Sequence, residues 1–448
     1  SRFLRRHLNP HVYAIQESGE LTADALGRLG RQKSTARALL DTFKNAKEYG
    51  SILQPKVTLA QLDALQEQLR EVDGASDMGS FTDQFVAGQL LRVLCPLVEQ
   101  ARMLVQKYDV VVTNPPYMGG SGMNAQLSDY VKKYYPDSKS DLFAVFIERC
   151  AQMNKANGYQ AMITQHSWMF IGTYEHLRRS LYNQRFTSLL HLGIKAFEEI
   201  GNDIVQTCSF VINQNAIQNY ESTFVRLVDC KNYQEKKRAY LSGRYRYISA
   251  VDRVRHIPGM PLAYWVGKQF IDNFNDAKYI DSYGIITGSQ NITGDNDKYL
   301  RLFWEVSRSS INNKWRFYAK GGDYRQYYGN LSYVVDWSDC ARSFYQTNKT
   351  SNLLSKEFWY KQGITYSAIT SRGTGFRYLP EGCIFDKGGP SINLQSNVEE
   401  ILALLNSNVA KYYLWVFNPS INLQVKDIKN LPILLSNKKE NVEMAQEN

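Results

Sequence analysis

The sequence predicts an α/β protein: a doubly wound sheet, preceded by a helical segment and followed by a mixed α+β domain. Three observations predict it. Residues 108–228 alternate apolar, β-branched runs with helical runs, as strands joined by crossover helices do. Residues 1–107 instead carry apolar side chains at three- and four-residue steps. From about 266 to 435, short β-like runs are punctuated by glycines and aromatics.

In the first segment, Thr58 with Gln61 forms a capping-box signature. Leu59, Leu62, Leu65, Leu69 and Val72 then recur on one helical face, and Asp73-Gly74 is expected to end that helix. A second helix is expected over 82–107, with a kink or break at Pro96. The run 108–113 (YDVVVT) reads as a buried strand that stops at Pro115-Pro116. Asp141 opens a helix with Leu142, Val145, Phe146 and Met153 on a buried face, and Asn157-Gly158 is the expected C-cap. Strands are expected at 159–164, 188–192, 203–213 and 224–228, with a helix through 176–182.

The composition changes near 229–250, where lysines and arginines mix with tyrosines, and IPGMP (257–261) reads as a rigid hinge. The expected organisation is a helical segment 1–107, a catalytic portion 108–235, a basic and aromatic linker 236–265, a further domain 266–435 and a frayed tail 436–448. In the last domain, 398–417 is expected to be one helix with Ile401, Leu404, Leu405 and Val409 on its apolar face.

Composition narrows the class. The 448 residues are 44% hydrophobic and 21% charged, which excludes disorder and fits two or three packed domains. No apolar stretch reaches the ~18–20 residues of a membrane-spanning helix. Nor does any h-region or cleavage site follow the basic start SRFLRRHLNP, which excludes a secretory signal. The six cysteines lie far apart, with no CxxC pair, so no metal site is expected and a reducing cytoplasm fits. A net charge of +10 and a pI near 9.1 make a polyanionic partner plausible. Ser1 stands where an initiator Met would, and the pattern begins midway, so a longer polypeptide is expected to precede it.

The chemistry concentrates at Asn114-Pro115-Pro116-Tyr117, just past the first strand and before Gly119, Gly120 and Gly122. An Asn amide presents a carbonyl acceptor. Pro115 fixes the turn, and its backbone carbonyl supplies a second acceptor. Two acceptors hold both hydrogens of an exocyclic –NH2 and free the nitrogen lone pair for an electrophile. Tyr117 offers a face for a planar base, with stacking of roughly 1–3 kcal/mol expected. This suits methylation of a planar amine; the structural alternative is a tight turn after a strand.

NPPY after an apolar strand resembles the motif of S-adenosylmethionine-dependent amino-methyltransferases, chiefly N6-adenine DNA methyltransferases. The longer phrases NPPYMGGSGMN (114–124), SKSDLFAVFIERC (138–150), ITQHSWMF (163–170) and IPGMPLAYW (257–265) are similar to the adenine-specific methyltransferases of BREX phage-defence systems, the PglX family. Those are relatives of the fused restriction-modification enzymes of the Eco57I type. The helix near 398–417 and KDIKNLPI (426–433) are similar to target-recognition domains.

The resemblance implies part of a Rossmann-like class I methyltransferase sheet, S-adenosylmethionine as cofactor, double-stranded DNA as partner, and room for other phage-defence proteins as partners. It implies Asn114, Pro115, Pro116 and Tyr117 as the catalytic residues and Asp141, Phe143 and Phe197 as the target-base pocket, with core packing the alternative for both phenylalanines. Gln165 and His166 stand where many relatives carry Pro-Asn. A DNA-binding group is expected among Lys236, Lys237, Arg238, Arg244, Arg246, Arg316, Lys320, Arg325, Lys361, Arg372 and Arg377. The Gly-rich cofactor loop of this class precedes the catalytic motif, and no such strand-loop-helix lies before residue 108. It is therefore expected further upstream. The alternatives are a restriction-modification fusion, a non-catalytic DNA-recognition subunit, and methylation of protein glutamine.

Overall fold

The structure, a computed structural model, describes residues 10–76, 80–196, 205–275, 277–369, 373–418 and 423–435. It contains two compact units: Ser1–Trp168 with His176–Asp252, and Met169–Glu175 with Arg253–Asn448.

The first unit begins with helices. The capping box forms as its residues demand: Thr58 N–H donates to Gln61 Oε1 (2.8 Å) and Gln61 N–H to Thr58 Oγ1 (3.2 Å). The helix Leu59–Ser76 runs past Asp73-Gly74, where its stop was expected. The helix Phe81–Val105 continues unbroken through Pro96. Leu62, Leu65 and Leu69 interlock with Leu90, Leu94, Leu97 and Val98, and with Leu39 and Phe43, in one apolar cluster. Leu59, expected on that face, is exposed.

Among the described residues six strands then form one mixed sheet: β1 (Tyr108–Thr113), β2 (Asn154–Gln165), β3 (Arg185–Gly193), β4 (Thr207–Asn213), β5 (Glu221–Arg226) and β6 (Arg246–Ala250), in the order β1-β2-β4-β3-β5-β6. β1 and β2 are parallel, β4 runs antiparallel between β2 and β3, β3 and β5 are parallel, and β6 closes antiparallel on β5. The expected α/β class holds. The helix preceding β2 is Leu142–Met153, and Asn157-Gly158 is not its cap. It lies inside β2, where the register with β1 shifts between Tyr108 and Val110. A Cβ on Gly158 would come within 2.9 Å of the Tyr108 carbonyl, so this irregularity requires a glycine.

The stretch 236–265, expected as a linker, carries structure. The helix Tyr233–Leu241 leads into β6, which extends the sheet, and the unit ends at Asp252. Of the basic residues that suggested a linker, Lys237 and Arg238 lie on the exposed side of that helix, Arg244 in the turn after it and Arg246 on the edge strand, while Lys236 is buried.

Alternation along β1 and β2 separates two faces. Gln160, Met162 and Thr164 are buried, with Gln160 Nε2 donating to the Ile147 carbonyl (3.0 Å) of the covering helix Leu142–Met153. Val110, Val112 and Tyr159 point the other way and are 56%, 70% and 39% exposed. The run read as a buried strand is therefore open on one face. Among the described residues β1 is also an edge, paired with β2.

The described residues of the second unit form two four-stranded sheets. One has the order β13 (Ile384–Phe385), β9 (Trp315–Ala319), β10 (Tyr333–Asp336), β8 (Leu300–Leu302). The other has the order β12 (Phe376–Leu379), β11 (Gly363–Tyr366), β14 (Ser391–Leu394), β7 (Gly284–Ile286). The mixed α+β expectation for this region holds. The single helix expected over 398–417 is two, Val398–Asn406 and Asn408–Phe417. Ser407 makes the break by capping the second: its Oγ accepts from Ala410 N–H at 3.1 Å. The break rotates Val409 outward, where it is exposed.

No described helix is long and apolar enough to cross a membrane.

Candidate active site at the end of the first strand

The Asn114-Pro115-Pro116-Tyr117 turn leaves the C-terminal end of β1, beside the end of its parallel neighbour β2. Strand ends of parallel sheets are where α/β proteins place their ligands. Pro115 is buried, Asn114 and Pro116 are exposed, and Tyr117 is half-buried. The Tyr117 ring meets Phe143 edge-on, with centroids 6.2 Å apart and planes at 86°. Its hydroxyl lies 3.5 Å from the Ile163 carbonyl, at the outer limit of a hydrogen bond. Burial, with smaller contributions from Cys208 and Asp141, pushes the phenol up to about 12, so it stays neutral at ordinary pH.

Beyond the turn the chain is tied to the start of the helix Leu142–Met153. Met118 N–H donates to Asp141 Oδ1 (3.0 Å), Leu142 N–H to the Met118 carbonyl (3.1 Å) and Gly120 N–H to the Ser140 carbonyl (3.0 Å). Asp141 also caps that helix, accepting from Phe143 N–H at 3.2 Å. It is 9% exposed, and burial raises its carboxyl above the ordinary range against the pull of these backbone donors. Phe143 is fully buried, so its contact with Tyr117 comes from within the core. Phe197 lies outside the described residues.

His166 follows β2 directly, and here the structure adds what a lone histidine did not suggest. His191 on β3 brings its Nε2 within 2.8 Å of His166 Nδ1. One ring donates and the other accepts, which requires the shared contact to hold a single proton. Burial pulls His166 down to about 4; burial, then the charges of His166, Arg226 and Lys236, holds His191 well below 6.5. An unfolded chain protonates both rings below pH 6.5, while the folded pair resists. Stability is therefore expected to fall between pH 6.5 and 4, by about 1.4 kcal/mol per pH unit for each ring that stays neutral. The carboxyls of the buried Asp141 and the half-buried Glu148 act in the opposite direction, since their raised values favour the fold as pH falls. The histidine contribution is thus read by comparison: urea unfolding at pH 7 and 5 should show a shallower pH slope for His166→Gln than for wild type.

The basic group divides. Lys237, Arg238, Arg244 and Arg246 in the first unit are exposed, as are Arg325 and Lys361 in the second. Arg316 lies over the Tyr360 ring (4.5 Å to the centroid) and Lys320 over Tyr333 (5.9 Å), both half-buried. Arg372 lies outside the described residues. Two are corrected. Lys236 is buried, and its ammonium donates to the carbonyls of Leu192 (2.6 Å), Leu227 (2.9 Å) and Cys230 (3.2 Å). Arg377 is 1% exposed and donates to the carbonyl of Gly375 (3.1 Å) and to Ser367 Oγ (3.3 Å). Both cations saturate buried oxygens and cannot reach a phosphate.

Residues 31–197 match the Eco57I restriction-modification methylase family. The adenine-specific methyltransferase BrxX of Escherichia coli O9:H4 (strain HS) is 35% identical over 89% of this chain and 33% of its own length. The adenine-specific methyltransferase PglX of Lacticaseibacillus casei (strain Zhang) is 32% identical over 99% of this chain and 39% of its own length. The chain thus spans between a third and two fifths of these relatives. The solved type IIL restriction-modification enzyme MmeI, in complex with DNA, aligns with 77% of this chain and 49% of its own at 13% identity and a TM-score of 0.48. Along nearly all of its length, the chain is a homologue of the adenine-specific methyltransferases PglX and BrxX.

Proposed function

We propose that the chain carries the target-positioning and DNA-contacting portion of a site-specific DNA adenine-N6 methyltransferase of the BREX phage-defence class. The observation that carries this is the Asn114–Tyr117 turn at the end of β1, with Asn114 exposed and Tyr117 held edge-on by the buried Phe143. Homology to methyltransferases named adenine-specific supports adenine as the base.

On this reading the Asn114 side-chain oxygen and the Pro115 carbonyl accept the two hydrogens of the adenine amine. The nitrogen lone pair is thereby withdrawn from ring conjugation and aimed out of the ring plane. Tyr117 stacks on the base, which has been flipped from the duplex at a cost of a few kcal/mol. S-adenosylmethionine supplies the methyl electrophile. The described residues do not include a Gly-rich loop before β1 to cradle it, so they account for the acceptor side of the reaction and not for the donor's pocket. The open edge of β1 and the uncovered Val110 and Val112 fit a sheet completed by further polypeptide. The exposed cations Lys237, Arg238, Arg244, Arg246, Arg325 and Lys361 neutralise DNA phosphates, with Arg316 and Lys320 beside aromatic rings.

The test is incubation of the complete natural polypeptide with labelled S-adenosylmethionine and duplex DNA, followed by nucleoside analysis. Label in N6-methyladenine is expected. Label in protein glutamine, or none in DNA over a range of sequences, would refute the reading.

A further inference from the structure

We propose that Asp141 is a positioning residue: its Oδ1 holds the amine-acceptor turn in register by accepting the Met118 N–H, and it acts as a hydrogen-bond acceptor, not as a charge. The proposal rests on the reading of Asn114–Tyr117 as the catalytic turn, and it differs from the base-pocket role expected from the sequence.

The buried Pro115 sets the turn's own φ, but the chain around it has little of its own to fix it. Asn114 and Pro116 are exposed, and glycines at 119, 120 and 122 follow within a few residues. What fixes it is the segment opening the helix Leu142–Met153. Asp141 has an extended backbone (φ −153°, ψ 146°), which lets its side chain fold over the first helical turn. The same oxygen, Oδ1, accepts from Phe143 N–H (3.2 Å) and from Met118 N–H (3.0 Å). One atom therefore joins the helix start to the residue that follows Tyr117. The reciprocal bond, Leu142 N–H to the Met118 carbonyl at 3.1 Å, makes Met118 doubly held. Phe143, two residues beyond Asp141, reaches from the core to the Tyr117 ring. The helix Leu142–Met153 is thus the rack on which both ends of the Tyr117-Met118 step are set.

The donors Asp141 meets are neutral backbone amides. Among the described residues no cation pairs with the carboxylate, and burial disfavours its ionised form. An acceptor in this position requires an oxygen and no charge. A carboxylate that contacted cofactor or base through its charge would behave differently on amidation.

Three variants in the complete natural polypeptide separate these roles. Asp141→Asn keeps an Oδ1 that can accept from both amides. Asp141→Ser keeps a good helix cap but is too short to reach Met118 as well. Asp141→Ala removes both. Two measurements are made: kcat and KM for methyl transfer, and amide hydrogen exchange of peptides covering residues 114–122. Asp141→Asn is expected to stay within about threefold of wild type in kcat, with unchanged exchange. Asp141→Ser is expected to fold, to exchange faster at 114–122, and to lose about tenfold or more in kcat with DNA affinity within twofold, as small misplacements of a reacting group do. Asp141→Ala should follow Asp141→Ser in exchange. Loss of activity in Asp141→Asn as deep as in Asp141→Ser would overturn the proposal, because it would mean the charge is used. Unchanged exchange at 114–122 in Asp141→Ser would overturn it as well. If the wild type transfers no methyl group, the catalytic reading falls, and hydrogen exchange alone decides whether Asp141 holds the turn.

Discussion

Asn114→Ala in the complete natural polypeptide is expected to abolish detectable methyl transfer while leaving DNA binding intact. The alanine removes one of the two acceptors proposed for the adenine amine. Removing a single preorganised hydrogen-bonding group from a developing-charge site lowers kcat by about 10²–10³-fold. The effect should exceed that here, because an amine held by one acceptor stays conjugated with its ring and points along it. Folding should be untouched, since Asn114 is exposed and the described strand bonds of β1 end at Thr113. The measurement is single-turnover transfer of labelled methyl beside a DNA-binding titration at fixed salt. Methylation retained within tenfold would refute the catalytic assignment. Loss of DNA binding in parallel would move Asn114 from chemistry to recognition.

What the sequence disclosed and what it hid follow different physics. The strand at 108–113, the helix opened by Asp141 and the capping box at Thr58 were legible because β-branched propensity and cap chemistry are local signals, although the strand's burial on both faces was misread. Asn157-Gly158 misled because a glycine needed for close backbone approach inside β2 looks the same in sequence as one that ends a helix. Residues 236–250 misled because an edge strand and a surface helix need few apolar residues, so their composition imitates a linker. In the candidate site, the turn itself was readable but its support was not. The Met118–Asp141 bond joins residues 23 apart, and the His166–His191 contact joins residues 25 apart. Neither spacing carries a periodic signal. Charge was the least legible property. A lysine or arginine on a phosphate and one on buried carbonyls differ only in the shape around them, which is how Lys236 and Arg377 entered the DNA-binding group.

Arg377→Met is expected to destabilise the second unit by about 3 kcal/mol or more, whereas Arg325→Ala and Lys361→Ala should leave stability within about 0.5 kcal/mol. Arg377 lies on β12 opposite Thr365 of β11, fully inside the unit. Its guanidinium serves the Gly375 carbonyl and Ser367 Oγ, and reaches towards the Arg325 carbonyl at 3.5 Å. The neighbourhood is tightly built: a Cβ on Gly375 would lie 2.2 Å from that same Arg325 carbonyl. Methionine fills the stem's volume but leaves buried oxygens without donors, each costing about 1–3 kcal/mol. Burial already pulls the guanidinium down to about 10, so the site bears a charge for the sake of its donors. Arg325 and Lys361, which are exposed, should behave in the opposite way. Their alanine variants should weaken DNA binding and each reduce the slope of log K against log salt by about 1. Urea unfolding of the chain and salt-dependent DNA titration, run on all three variants, separate the two roles. An Arg377→Met variant as stable as wild type but poorer in DNA binding would return Arg377 to the interface and overturn its structural assignment.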